Sequence, residues 1–244
     1  MKPFLLLGTR EDEEAAENEY LAFRGFTGLD QSALQRIRLE ERPLPDLDLD
    51  DWSGIMLGGG PFNSSDPADT KSTLQRRVEA DLRRLLDRIV AADFPFLGAC
   101  YGIGTLGTHQ GAVVDRTYGE PIGRARISLT EDGAEDRLFS ALPTPFESFV
   151  GHKEAIRKLP RQAVLLATSP RCPVQAFRIG RNVYATQFHP ELDVAGLCLR
   201  IEVYRYAGYF EPDEAEALQE MARASAVLDP PKLLLRFVEL YARA

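Results

Sequence analysis

Apolar positions along the chain fall into two rhythms. Short unbroken apolar runs occur at Phe4–Leu7, Gly54–Leu57 and Phe96–Ala99. Each has the length of a strand covered on both faces. Leu34–Leu39 alternates apolar with polar and predicts a further strand. Between these runs, Glu11–Phe23 is acidic with helical character, and Ser72–Ala92 carries Leu74, Val78, Leu82, Leu85, Leu86 and Ile89 at helical spacing. Strands alternating with helices predict an α/β fold, a mostly parallel open sheet flanked by helices. From Ala112 to Gln187 the pattern shifts to short strands at Ile122–Leu129, Ala163–Thr168, Val174–Ile179 and Val183–Phe188. Leu192–Tyr209 returns to helix. Pro212–Ala244 shows two helical stretches split by Asp229-Pro230-Pro231. The expected organisation is one domain over 1–210 and a C-terminal helical extension over 211–244.

Composition narrows the partners. The 244 residues carry a net charge of −8, which disfavours a nucleic-acid backbone or an anionic membrane as partner. The apolar run at the N-terminus is too short for a signal peptide, and no stretch approaches the roughly 20 apolar residues of a membrane span. Three cysteines, Cys100, Cys172 and Cys198, form no CxxC pair and no disulfide framework. A reducing cytoplasm suits this chain. Asn63-Ser64-Ser65 matches a glycosylation sequon by chance, and Asp46–Asp51 reads as a solvated turn.

Candidate chemistry begins at Gly98-Ala99-Cys100-Tyr101-Gly102, directly after the apolar run ending at Leu97. A buried strand that turns into a helix at Gly-x-Cys-x-Gly has the form of a nucleophile elbow. The helix N-terminus then points its N–H groups at the sulfur, an environment that favours thiolate. A sulfur nucleophile needs a base, and the chain has three histidines. His189 lies at the end of the Val183–Phe188 strand, with Pro190 stopping the ladder and Glu191 placed to orient the ring. Alone, that segment reads as an ordinary turn; beside the elbow it supplies base and orienter. Gly58-Gly59-Gly60-Pro61 follows another buried strand, where backbone N–H groups can approach an oxyanion. A plain turn and a phosphate loop compete with that reading, although no Gly-Lys-Ser/Thr follows. His109, Cys172 and Cys198 read as structural, and Tyr204, Tyr206, Tyr209 and Phe210 as packing for the last helix of the domain.

In this order and spacing, Leu57–Pro61, Gly98–Gly102 and Phe188–Glu191 resemble a class I, triad-type glutamine amidotransferase domain. The Cys-Tyr-Gly motif is similar to that of the glutaminase part of GMP synthase. The resemblance covers Lys2–Tyr209 and implies a flavodoxin-like open sheet. It implies that Cys100 attacks the side-chain amide carbonyl of glutamine, that His189 is general base and acid, and that Glu191 orients it. It further implies oxyanion donors at the backbone N–H groups of Gly60 and Tyr101. Substrate contacts are implied at Gly59 and, through the segment Ser148–Glu154, at backbone groups of Lys153 and Glu154, with His152 beside the substrate. No cofactor or metal is implied.

Two positions depart from the family pattern. Gly104 stands where the family has a substrate-holding Gln, and Gly58 where it often has Ser. With Gly104, another residue completes the site or the substrate is a different γ-glutamyl compound. The chain has no ATP-binding motif and no room for a synthetase domain, so ammonia would pass to a separate synthetase subunit. The favoured expectation is a glutamine amidotransferase or glutaminase subunit. The alternatives are a γ-glutamyl hydrolase acting on an amine or peptide, and an idle binding or assembly domain. Glu11–Tyr20 and Pro212–Ala244 are the segments marked for self-association or partner docking.

Overall fold

The computed structural model describes residues 1–243. The chain runs β1 (Phe4–Gly8), α1 (Glu13–Thr27), β2 (Leu34–Arg38), β3 (Gly54–Leu57), α2 (Thr73–Ala91), β4 (Phe96–Ala99) and α3 (Tyr101–His109). It continues through β5 (Val113–Asp115), β6 (Glu120–Leu129), α4 (Glu131–Glu135), β7 (Phe146–His152), β8 (Ala155–Lys158), β9 (Val164–Thr168), β10 (Ala176–Ile179) and β11 (Val183–Thr186). Helices α5 (Val194–Val203), α6 (Ala215–Arg223) and α7 (Pro231–Tyr241) complete it. The nine-stranded sheet has the order β2-β1-β3-β4-β11-β10-β9-β6-β7. The strands from β2 to β11 pair in parallel and form the half that carries the site. The remaining strands extend the sheet antiparallel.

The apolar runs are strands because both of their faces are covered. Phe4 and Leu6 pack with Tyr20 and Phe23 of α1 and with Leu233 and Phe237 of α7. Leu5 and Leu7, one step out of phase, pack with Val78, Leu82, Leu85 and Ile89 of α2 on the opposite face. Ser72 caps α2 by accepting from Gln75 N, which satisfies one of the orphan donors of its first turn. The 211–244 segment, expected as an extension, is helical over α6 and α7. Helix α7 packs into the same core as β1, and Lys2 N donates to Arg243 O at 2.9 Å.

Register fixes where the chemistry falls. Leu57 pairs with Gly98, and Ala99 pairs with Thr186. The residues that follow, Gly58, Cys100 and the turn to His189, therefore emerge together at the carboxyl edge of the parallel strands, where open α/β sheets build their sites.

Candidate active site

Cys100 occupies the step between β4 and α3 with φ 50° and ψ −91°. Among the described residues it shares positive φ with one other non-glycine residue, Asp93. Such backbone costs about 1–3 kcal/mol and persists only where the surroundings impose it. Here they do. Cys100 N donates to Thr186 O at 2.8 Å, and a Cβ on Gly98 would lie 3.0 Å from the Gly102 backbone. The tight turn thus requires the glycine before the nucleophile position.

His189 is held from both sides. Thr186 Oγ1 donates to Phe188 O at 2.9 Å, tightening the turn after β11, and His189 N donates to Phe149 O at 3.3 Å. The imidazole Nδ1 donates to Glu191 Oε1 at 2.8 Å. That bond commits Nδ1 and leaves Nε2 uncommitted, and the Cys100 sulfur is close enough to the ring to help hold its proton. Burial alone would lower the pKa of His189. The Glu191 carboxylate and the Cys100 sulfur outweigh it and raise the imidazole to about 9. Burial alone would likewise raise Glu191, but His189 and then Arg200 hold its carboxyl well below the ordinary carboxylate range.

Behind this pair lies a buried charge network that the sequence reading missed. Arg200 Nη2 donates to Glu191 Oε1 at 3.0 Å and lies 3.5 Å from Glu19 Oε1. Arg10 Nε donates to the same Glu19 oxygen at 2.9 Å, and Arg10 Nη1 donates to Tyr204 Oη at 3.3 Å. Two guanidinium groups thus alternate with two carboxylates, offsetting charges that could not be buried singly. Gly59 lies against the same cluster: a Cβ there would be 2.8 Å from both Arg10 Nη2 and His189 Cε1. The expected acidic surface helix therefore turns Glu19 inward. The signal was present, because Glu19 sits four residues from both Ala15 and Phe23, on the buried face of α1.

Gly60 lines a pocket with Cys100 and His189, and Tyr101 opens α3 with its ring edge against Phe62. Gly104 lies one turn below Cys100, and the space beside it is occupied by another side chain. A Cβ at 104 would lie 2.6 Å from Glu154 Oε1. The Glu154 carboxylate accepts from Ser64 N at 2.8 Å and Ser65 N at 2.7 Å, fastening the loop after Gly60. The Glu154 carbonyl accepts from His152 Nδ1 at 2.8 Å, which ties the turn at 152–154. Lys153 Nζ stands 4.5 Å above the Tyr209 ring.

His152 itself is fixed. Its Nε2 lies 3.1 Å from Glu120 Oε2, which also accepts from Gln175 Nε2 at 3.0 Å. Glu120, His152 and Cys172 form the one buried set of potential metal ligands among the described residues, with ligand atoms within 4.8 Å of one another. Both His152 nitrogens are already spent, Cys172 donates to Val174 O, and burial pushes the Cys172 thiol up to about 12. The set acts as a hydrogen-bonded stitch under the 152–154 turn. His109 pairs with Asp87 at 2.8 Å, away from the site.

Beside Cys100 opens a pocket of about 540 Å³, mouth included, into which Arg10, Arg200 and His189 also face. Its walls correct the reading of the aromatic cluster. Tyr204 and Tyr209 line this pocket with ring centroids 5.9 Å apart, and Tyr206 is exposed. Only Phe210 packs as expected, against the α5–α6 cluster. Among the described residues, no helix is long and apolar enough to cross a membrane.

Fold and site together define an open α/β protein with a cysteine elbow facing a buried His–Glu pair. The chain belongs to the class-I glutamine amidotransferase family, whose model matches residues 31–195. It is 27% identical over 173 residues to one subunit of the glutamine-hydrolyzing GMP synthase of Thermoplasma acidophilum, a match covering 69% of this chain and 80% of that one. It is 30% identical over 141 residues to the glutamine-hydrolyzing GMP synthase of Listeria monocytogenes, covering 57% of this chain and 24% of that protein. The match to such longer relatives spans about a quarter of their length. In fold it is similar to a glutamine amidotransferase of Thermotoga maritima, with TM-score 0.79, 21% identity and both chains fully covered. A glutamine amidotransferase of Methylobacillus flagellatus gives TM-score 0.71 at 19% identity, covering 100% of this chain and 97% of that one.

Proposed function

We propose that this protein hydrolyses the γ-carboxamide of glutamate derivatives, with glutamine as the parent substrate, through a γ-glutamyl thioester on Cys100. The observation that carries this reading is the line from Cys100 through His189 to Glu191, with Nδ1 committed to the carboxylate. His189 Nε2 takes the proton of Cys100, and the sulfur attacks the amide carbonyl. Backbone N–H groups of Gly60 and Tyr101 meet the oxyanion. The C–N bond breaks as His189 returns its proton to the departing nitrogen. A water, deprotonated by the same nitrogen of His189, then cleaves the thioester and releases glutamate. With glutamine the departing group is ammonia. One relative is itself part of a GMP synthase built from subunits, which supports a separate synthetase polypeptide as the acceptor of that ammonia. A reducing cytoplasm would keep the nucleophile as a free thiol.

Hydroxylamine tests the intermediate. With purified protein and glutamine, added hydroxylamine should divert product from glutamate to γ-glutamyl hydroxamate. Glutamate formation with no diversion at any hydroxylamine concentration would mean direct attack by water and would overturn the thioester.

The acidity of His189 sets the alkaline limit. Its imidazolium, raised to about 9, is the acid that the departing nitrogen needs. We expect kcat/KM to hold through neutral pH and then to fall about tenfold per pH unit above that value. A fall beginning near the ordinary 6.5 would show that Glu191 and Cys100 do not hold the proton on the ring.

A further inference from the structure

We propose that Glu19, on α1, is a positioning residue for the reaction, a clamp that ties the glycine loop 58–60 to the His189–Glu191 pair through Arg200. The inference rests on the reading of His189 as base and Glu191 as its orienter, and names the residue that keeps the two halves of the site in step.

The loop is held by side chains that reach it from the end of β1 and from α1. Thr9 Oγ1 donates to Gly59 O at 3.2 Å. Gly59 O and Gly60 N–H belong to one planar trans peptide and point in opposite directions, so this bond aims the Gly60 donor away from Thr9. A Cβ on Gly60 would collide with Thr9 Oγ1. A Cβ on Gly58 would lie 2.5 Å from Glu19 Oε2 and 2.7 Å from Glu19 Cδ. Gly58, where the family often has Ser, is therefore the room that the Glu19 carboxylate occupies.

That carboxylate cannot swing aside freely. Glu19 is 2% exposed, accepts from Arg10 Nε at 2.9 Å and lies 3.5 Å from Arg200 Nη2. Arg200 Nη2 in turn donates to Glu191 Oε1 at 3.0 Å, the same oxygen that accepts from His189 Nδ1 at 2.8 Å. Glu191 Oε2 is buried without a partner, so the rotation of that carboxylate follows what Oε1 meets. Arg200 Nη1 also lies 3.3 Å from His189 Nδ1, a nitrogen already donating to Glu191. Further advance of the guanidinium would take Glu191 Oε1 away from the imidazole. Glu19 gives the cation a second anion and holds it short of that. One buried carboxylate thus touches the loop on one side and the network behind the base on the other, and a displacement at Gly58 passes through Glu19 and Arg200 to His189.

Two readouts test the clamp in the full-length chain. One is the downfield N–H proton resonance of the His189–Glu191 bond, identified among the three histidines by its loss in His189→Gln. It is seen only in folded protein and needs no substrate. The other is kcat with glutamine as the probe. Glu19→Gln, equal in size but uncharged, should shift the resonance and lower kcat about tenfold. KM should change less than about twofold, because Glu19 does not line the pocket. Gly58→Ala should act in the same way. Added to Glu19→Asp, whose carboxyl is one methylene further back, Gly58→Ala should leave the resonance where Glu19→Asp puts it and cost less than about twofold in kcat. A Gly58→Ala penalty of equal size in both backgrounds would show that the loop acts on its own, and would overturn the inference. A resonance unmoved by Glu19→Gln would overturn it equally. Resonance shifts as expected, with no Cys100-dependent glutamate release from wild type, would overturn the proposed function instead, and with it the part of Glu19 in catalysis.

Discussion

Replacing Cys100 with glycine is expected to abolish glutamate release, by about 10⁴-fold or more, while making the fold more stable by about 1 kcal/mol. The two effects have one cause. The sulfur is presented at a backbone conformation, φ 50° and ψ −91°, that a residue with a Cβ adopts only under strain. Glycine reaches it freely, and the gain outweighs the entropy that glycine loses on folding. Cys100→Ala keeps the Cβ and the strain, so it should be as inactive without becoming more stable. Urea or thermal unfolding of the three proteins, alongside a glutamate assay, separates these effects. A glycine variant less stable than the alanine variant would show that the elbow is not strained. Retained glutamate release in either would remove Cys100 from the chemistry. Both variants also take away the sulfur that helps hold the His189 proton.

The parallel half of the sheet was legible because its strands are covered twice. Phe4 and Leu6 meet one layer while Leu5 and Leu7 meet the other, so the sequence shows an unbroken apolar run. The site was legible for a related reason. Each motif follows directly on such a strand, and parallel register brings strand ends together without further information. β7 was harder to see. Its pattern is broken by Glu147, by Ser148, which is buried, and by Gly151. The charge network was hidden because helical charge is normally read as an outer face. Glu19 and Arg200 lie on inner faces, and only their companions, Ala15 and Phe23 for one and Leu197 and Ile201 for the other, betray it. The prolines at 230 and 231 mark the break between two helices, with α6 ending at Arg223 and α7 beginning at Pro231. Pro231 stands at the first helical position, where it starts a helix, and the helix it starts places Phe237 against Phe4.

Gly104 changes meaning once Glu154 is in view. As a sequence position it is a missing amide. In the structure the volume above it holds a carboxylate that two consecutive backbone N–H groups fasten in place.

Glu191→Gln should lower kcat by about 10²- to 10⁴-fold, since the orienting carboxylate fixes which ring nitrogen acts as base. The amide group can satisfy Arg200 with its oxygen, but then presents N–H to His189 Nδ1. The ring must answer with the other tautomer, and its proton moves to Nε2, the nitrogen that has to accept one from Cys100. The alkaline limb should move down from about 9 toward the ordinary histidine value. Stability should fall as well, by about 3 kcal/mol, because Arg200 is left as a buried cation without its closest anion. The pH dependence of that loss identifies its origin. Glu191 is depressed from 4.5, so its contribution is present above that pH and is lost as pH falls through the native value. His189 is raised from 6.5 to about 9, so its contribution is full below 6.5 and lost as pH rises through 9. The gap between wild type and Glu191→Gln should therefore be widest between pH 4.5 and 6.5. Glu191→Gln combined with Arg200→Met removes the orphaned cation and should recover most of the stability and none of the activity. A double variant that regained turnover would show that Glu191 serves to bury Arg200 rather than to orient His189.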